Sequence, residues 1–485
     1  MPDPEKNTSI VRYLDAAIKA LLYLLAFAAP LSIAGTQIAW AFGLFFWIIR
    51  FFVVRPRPRR DAIDLAILAF VGLSVISAVF SYEPRVSIGK LVGVSLVTIV
   101  YLVSEYVADL KTVRRLMGLL LLAAAVSAVW AIGVFAVGRN LKIVALTPDS
   151  PLRHTQPYGI QDGDTILSAN GKNVSSLDDL AAAGDGDLKV MVFRYEWVFE
   201  ANVPSPHPDL GIVKWSRGRD ARATGFFGHY TTYAEALQLV LAIAVGLMLA
   251  APGGTFARWR LLFAGIAVLY IAGLFLTVTR ASWAGALVAA GVITLIAARR
   301  RTLLILAPLV VVFAAGGLLY LSQKRNVGFI DPSDMSTTWR TTVWREAFGV
   351  MTSNAHHLLL GVGMDSVKTH WPEWYMFDNG RLPMGHMHSD YVAFAFERGI
   401  VALVAWLAWM LIYLRMLWRA LRSSERAWPE RGLLLGAFGG AIGFMTAGLV
   451  HYNWGDSEVV QIFYLIMGLS LAVIRTIDRR ADPGV

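Results

Sequence analysis

Apolar runs of about 20 residues recur along most of this chain, and no other property restricts its fold so much. A helix needs roughly 20 apolar residues to cross the hydrocarbon core of a bilayer. Such runs lie near 15–33, 36–54, 62–81, 87–107, 114–137, 230–251, 258–277, 281–298, 303–321, 390–418, 433–451 and 457–475. The tenth is long enough to include an interfacial turn. The chain has 485 residues, of which 56% are hydrophobic and 16% charged. The expectation is an all-α polytopic membrane protein of about 12 transmembrane helices, not a large soluble enzyme. There is no cysteine, which excludes a disulfide framework, a thiolate nucleophile and a thiolate metal site. The first run is long enough to stay as an anchor instead of being cleaved.

The net charge of +10 is not the footprint of a nucleic-acid binder, because the basic residues sit in short loops between spans. They alternate with the spans. Arg50, Arg55, Arg57, Arg59 and Arg60 follow the second, and Lys111, Arg114 and Arg115 the fourth. Arg258 and Arg260, then Arg299, Arg300 and Arg301, then Arg415, Arg419, Arg422, Arg426 and Arg431 continue the pattern, and Arg475, Arg479 and Arg480 close it. The positive-inside bias is expected to place both termini in the cytoplasm and two long inserts, about 138–229 and 322–389, on the other side of the membrane. The nine histidines, His154, His207, His229, His356, His357, His370, His386, His388 and His451, then all fall on the outer face or at an outer span end. Five regions follow: helices 1–5 in 1–137, a small domain in 138–206, helices 6–9 in 207–321, a helical outer loop in 322–389, and helices 10–12 in 390–485.

The first insert has the period of short strands: KIVAL, DTILSAN, LKVMVFRY and WVFEANV. Asp162-Gly163-Asp164, Asn170-Gly171 and Gly184-Asp185-Gly186 are turn sequences, and Ser175-Ser176-Leu177-Asp178 reads as a helix start. A Ser-Pro pair, GIQDGDTILSANGKNV and SLDDL together resemble a bacterial protease-type PDZ domain. That resemblance implies strand addition of an extended peptide at a sheet edge, with a docking or spacer role as the alternative.

The second insert and its flanks carry the reactive side chains. GHMHSDYVAFAFERGI, residues 385–400, puts His388 where a polar loop re-enters a membrane helix, suited to take a proton from a hydroxyl. Arg217, Arg219 and Arg222 precede the sixth span, Arg280 stands between the seventh and eighth, and Arg340 lies in the second insert. Cations are otherwise scarce on this side, so these arginines need a counter-charge. A diphosphate fits, since guanidinium forks match phosphate oxygens and stay charged. His229, Tyr230, His386 and Ser389 are possible supporting residues, although an aromatic at a span end also serves as a belt residue. His386 and His388 form an H-x-H pair without a third ligand at metal spacing, so no metal and no cofactor are expected. Glu397 is read as orienting a histidine or capping an interface.

The ordered segments GFFGHYTTYAEAL, TVTRASWAGALVA, WRTTVWREAF, LLGVGMD and HMHSDYVAFAFERGIVAL resemble the O-antigen ligase and polymerase superfamily over roughly 222–403. These are multi-span glycosyltransferases of the GT-C type. In the resemblance His388 takes the place of the catalytic histidine, with Ser389 where Asn is usual. Arg280 takes the place of the arginine after span seven, with Thr279 where Ser is usual. The resemblance implies a donor glycan on undecaprenyl diphosphate. The acceptor is a hydroxyl of lipid A–core for a ligase, or a second lipid-linked glycan for a polymerase. His388 then deprotonates the acceptor for direct inverting attack without a metal, and the arginines steady the departing diphosphate. A transporter is disfavoured because the spans hold few charges and no broken inverted repeats. No Ser-His-Asp or HExxH pattern supports a protease.

Overall fold

The computed structural model describes residues 4–54, 61–107, 109–184, 186–194, 197–205, 209–219, 222–254, 257–297, 335–422, 427–481 and Gly316. They divide into two compact units, one of residues 1–128 with 224–485, the other Val129–Ala223.

Nine helices among the described residues are long and apolar enough to cross a bilayer. They are Ile33–Val54, Ala62–Val79, Pro84–Tyr106, Leu110–Val137, Tyr230–Ala250, Ala257–Leu276, Arg280–Ala297, Asp390–Arg422 and Ser457–Thr476. Two further expected spans, 15–33 and 433–451, fall on the helices Pro4–Ala28 and Trp428–Ala447, which are not among the nine. The expected span at 303–321 lies outside the described residues. Trp428–Ala447 carries Glu430 and Arg431 in its first turn and a row of glycines along one face. A Cβ at Gly436 would stand 2.5 Å from the Ile243 Cα, and one at Gly443 would stand 2.3 Å from the Gly285 carbonyl oxygen. Backbones meet directly there, the device by which helices associate where lipid removes the hydrophobic drive.

The Asp390–Arg422 helix is broken at Gly399, with φ 84° and ψ 163°. The break lets another backbone in. Val362 and Gly363 donate N–H bonds to the carbonyls of Phe396 and Glu397 (both 2.9 Å), and Ser77 Oγ donates to the Glu397 carbonyl at 2.9 Å. A Cβ at Gly399 would lie 2.1 Å from the Leu359 carbonyl oxygen. Only glycine adopts that conformation readily, and forcing it costs about 1–3 kcal/mol before the clash is counted. Gly399→Ala is therefore expected to lower the thermal midpoint in detergent and the accumulated level. Gly118→Ala, on a helix face open within 4 Å, is the control that leaves both unchanged or raised.

The smaller unit is a six-stranded antiparallel sheet in the order β5-β4-β2-β1-β6, with β3 paired to β2. The strands are β1 Arg139–Leu146, β2 Thr165–Ala169, β3 Lys172–Asn173, β4 Leu188–Arg194, β5 Trp197–Val203 and β6 Ile212–Gly218. Alternation drives the pairing: Leu141, Ile143, Ile166, Val190, Val192 and Ala201 are buried in one core. Asn170 and Gly171, at φ 48° and 77°, make the two-residue turn that their sequence predicts. The Ser176 side chain accepts from the Asp179 N–H and caps the Leu177–Ala181 helix. Strand β6 is not announced by the sequence. Val213 to Arg217 are all exposed, so no inside-outside period marks it, and its pairing with β1 defines it.

Candidate active site

The helix Met335–Thr352 is the scaffold of the His388 loop. It buries Val343, Ala347, Val350 and Met351 and turns two indoles toward the loop. Trp339 Nε1 donates to the Pro383 carbonyl at 3.0 Å, and Trp344 Nε1 to the Met387 carbonyl at 2.6 Å. From the same helix, the two oxygens of Glu346 accept the N–H groups of Phe377 (2.8 Å) and Asp378 (3.1 Å). They hold a left-handed turn in which Phe377, Asp378 and Asn379 all have φ between 51° and 58°. His388 itself sits at φ 47°, a conformation His accepts more readily than most residues. Ser389 is buried and its hydroxyl accepts from the Val392 N–H at 3.4 Å, so it caps the helix that follows.

The structure brings His386, His388 and Arg340 together. The two imidazoles lie 4.1 Å apart between ring centroids, and the edge of one aromatic system, Trp339, meets His388 at 4.8 Å. Burial, then the charges of His386 and Arg340, lowers the His388 pKa to about 3. Burial, then His451, lowers that of His386 to about 4. Both rings are thus neutral in the folded chain at ordinary pH. Acidification below 6.5 protonates the unfolded chain first, so stability falls with pH from there to the folded values.

A second polar group packs in the same unit. Thr232 and Glu235, one turn apart on the Tyr230–Ala250 helix, face the connection before the Ser457–Ala481 helix. Thr232 Oγ1 donates to Asp456 Oδ2 at 2.5 Å, and the Glu235 carboxylate meets His451 Nδ1 at 2.8 Å. Burial, then Glu458 and Glu235, raises the Asp456 pKa to about 8. Asp390 is buried and ties this connection to the His388 loop: its N–H donates to the carbonyls of Gly448 (2.8 Å) and His451 (3.0 Å), and its Oδ1 accepts from the Trp454 N–H at 2.9 Å. Glu397 and Arg398 pair at 3.5 Å, and Tyr452 donates to Glu397 at 3.1 Å. Glu397 thus anchors the helix break and does not face His388 through any of these bonds.

The remaining predicted residues are spread more widely. Arg280 begins the Arg280–Ala297 helix beside buried Thr279. His229 caps the Tyr230–Ala250 helix, its Nδ1 accepting from the Thr231 N–H at 3.2 Å, and its ring lies 4.2 Å from that of Tyr230. Arg217 lies on β6 and Arg219 just beyond it, and with Arg222 they belong to the smaller unit. Sequence reasoning missed the roles of Glu235, His451 and Asp456. The signal available was the polar run HYNWGDSE at 451–458 between two apolar runs. Among the described residues, no three His, Asp or Glu side chains are grouped to hold a metal ion.

Residues 265–407 match the family model described as O-antigen ligase. The chain carries a domain of the O-antigen ligase superfamily. No curated protein matches the chain. The O-antigen ligase domain takes in Arg280, Arg340, Glu346, His386, His388 and Ser389. Arg217, Arg219, Arg222, His229 and Tyr230, together with Glu235, His451 and Asp456, lie outside the matched residues. With nine helices among the described residues apolar enough to span, the O-antigen ligase domain belongs to a multi-pass membrane protein of a glycosyltransferase-like family.

Proposed function

We propose that this protein is an O-antigen ligase that moves a glycan from undecaprenyl diphosphate to a hydroxyl of lipid A–core, on the periplasmic face of the inner membrane. The observation that carries the reading is the family match spanning both Arg280 and His388, with His388 set beside His386 and Arg340. Arg280 and Arg340 hold the donor diphosphate. Arg217, Arg219 and Arg222, for which the sequence suggests the same role, belong to the smaller unit and take no part in this scheme. The acceptor oxygen attacks the anomeric carbon from the face opposite the diphosphate, its proton passes to His388, and the diphosphate leaves with the bonding electrons. That leaving group needs cationic stabilisation and no protonation. A neutral His388 is ready to accept at ordinary pH, and a bound dianion opposes the field of Arg340 that weakens its basicity. His229, Tyr230, His386 and Ser389 shape and support the site. The sheet unit serves as a PDZ-like docking or spacer element.

Reconstituted protein given undecaprenyl diphosphate-linked glycan and two acceptors, lipid A–core and a second lipid-linked glycan, tests this reading. Capped core is the expected product. Extended lipid-linked polymer identifies a polymerase, which uses the same residues, and no transfer to either acceptor defeats both. Activity is expected to survive EDTA, because the arginines supply the cationic stabilisation. A loss restored by one divalent metal contradicts the metal-free scheme.

A further inference from the structure

Gly385 stands three residues before His388, and its backbone does not require a glycine. Gly361, Gly363, Gly380 and Gly399 all have positive φ, and Gly385 does not. A residue with a side chain can therefore hold its conformation. What distinguishes the position is the space beside it. A Cβ at Gly385 would lie 3.4 Å from Trp339 Cζ2, 3.7 Å from Trp339 Cη2 and 3.9 Å from His388 Nε2. These are ordinary van der Waals separations. The volume that a side chain would fill is open, and it is bounded by the benzo edge of an indole and by one nitrogen of the proposed base.

Both walls are fixed. Trp339 Nε1 donates to the Pro383 carbonyl at 3.0 Å and Trp344 Nε1 to the Met387 carbonyl at 2.6 Å, so one helix holds the loop on either side of Gly385. The Trp339 and His388 rings stand at 79° with their centroids 4.8 Å apart. The His388 imidazole makes no hydrogen bond through either ring nitrogen to another described residue, whereas His386 Nδ1 accepts the His388 N–H at 3.2 Å. Nε2 is thus left for a group from outside the chain. A general base must come within about 2.6–3.2 Å of the oxygen whose proton it takes. An oxygen that reaches Nε2 from this side passes over the Gly385 Cα, where the missing side chain leaves room. A sugar carries its hydroxyls around a ring of apolar C–H groups, so it suits a site with one polar atom and one aromatic wall.

We propose that the space beside Gly385, between Trp339 and His388 Nε2, is the acceptor subsite: the sugar hydroxyl meets Nε2 there, the sugar ring lies against Trp339, and Gly385 sets how large a group is admitted. The acceptor O–H proton passes to Nε2 as its oxygen bonds the anomeric carbon. The bond from that carbon to the phosphate oxygen breaks, and its electrons leave on the diphosphate. Gly385 and Trp339 act as specificity-determining residues and carry no proton. This inference rests on the glycosyltransferase reading above.

The chain has no cysteine, so Gly385→Cys puts a single thiol into this space. The purified, reconstituted variant is assayed with undecaprenyl diphosphate-linked glycan and lipid A–core before and after methyl methanethiosulfonate, and again after dithiothreitol. The reagent converts the thiol to a methyl disulfide and releases methanesulfinate. Before treatment, kcat/KM for lipid A–core is expected to be lowered about tenfold, the lower end for one group added to a pocket. The methyl disulfide is expected to lower it about 10²-fold further, with the donor KM unchanged. Dithiothreitol should restore the starting rate, which a folding defect would not allow. Wild type, without a thiol, should not respond to the reagent. Lipid A–core is also expected to slow the labelling of Cys at 385, read by mass spectrometry with no donor present. Gly385→Ala, which adds only the Cβ, repeats the acceptor measurement if the cysteine variant does not accumulate, with the same loss of about tenfold expected. Unchanged transfer by the modified protein, labelling indifferent to lipid A–core, or wild-type acceptor kinetics in Gly385→Ala overturns the proposal and leaves the transferase reading intact. A wild-type protein that transfers no glycan overturns both.

Discussion

Replacing His388 with Ala is expected to cut glycan transfer by about 10²–10⁴-fold, the range for a lost general base, while the protein still inserts and accumulates. The imidazole is what the proposed step consumes: it is buried and neutral beside His386 and Arg340, with Trp339 against its edge. A backbone effect must be separated from this loss, because His388 sits at φ 47°, where Ala is less comfortable than Asn. His388→Asn keeps the turn and removes the base, so it is expected to be as inactive as His388→Ala and more abundant. The measurement is polysaccharide-modified lipopolysaccharide in cells lacking the native gene, followed by reconstituted transfer. Wild-type glycan banding from either variant removes His388 from the mechanism.

Arg280→Ala is expected to be nearly as damaging, about 10²–10³-fold, comparable to losing one electrostatic stabiliser of a transition state. Arg280 opens the Arg280–Ala297 helix, where unpaired N–H groups and the helix dipole already favour an anion. Thr279 beside it and Ser282 one turn into the helix are buried, and Trp283 Nε1 donates to the Leu274 carbonyl at 2.9 Å, tying the turn between the two helices. Arg280→Lys is expected to recover only part of the rate, since an ammonium supplies the charge without the bidentate fork. The loss should appear in kcat at saturating donor as well as in KM, because the charge on the leaving diphosphate grows in the transition state. An Ala variant with wild-type kcat and KM removes Arg280 from the donor site.

Legibility followed local chemistry. The apolar runs marked most helices because membrane insertion is read from about 20 consecutive residues. Asn170-Gly171 and Ser176 marked the turn and the helix start they form, since each acts on its own few residues. Arg280 was legible because it is one of few cations in the loops where the charge pattern leaves arginine scarce, and His388 because GHMHSDYVAFAFERGI sets an imidazole where a polar loop meets an apolar run. The glycine face of Trp428–Ala447 was there to read as Gly432, Gly436 and Gly440, but its close backbone contact with the Tyr230–Ala250 helix was not.

Amino-acid order alone therefore determined the membrane class, most of the helices, most strands of the inserted sheet and the segment that holds the proposed base. Tertiary structure alone decided that Gly399 breaks a helix to admit the Gly361–Gly363 backbone. It alone set Glu346 under a left-handed turn and brought Glu235 to His451 across 216 positions of chain. The reason is distance. A hydropathy run or a turn is specified by neighbours in sequence. A buried carboxylate finds its imidazole only when separate helices pack, and the free energy that selects the pair is the cost of leaving either one alone in an apolar interior.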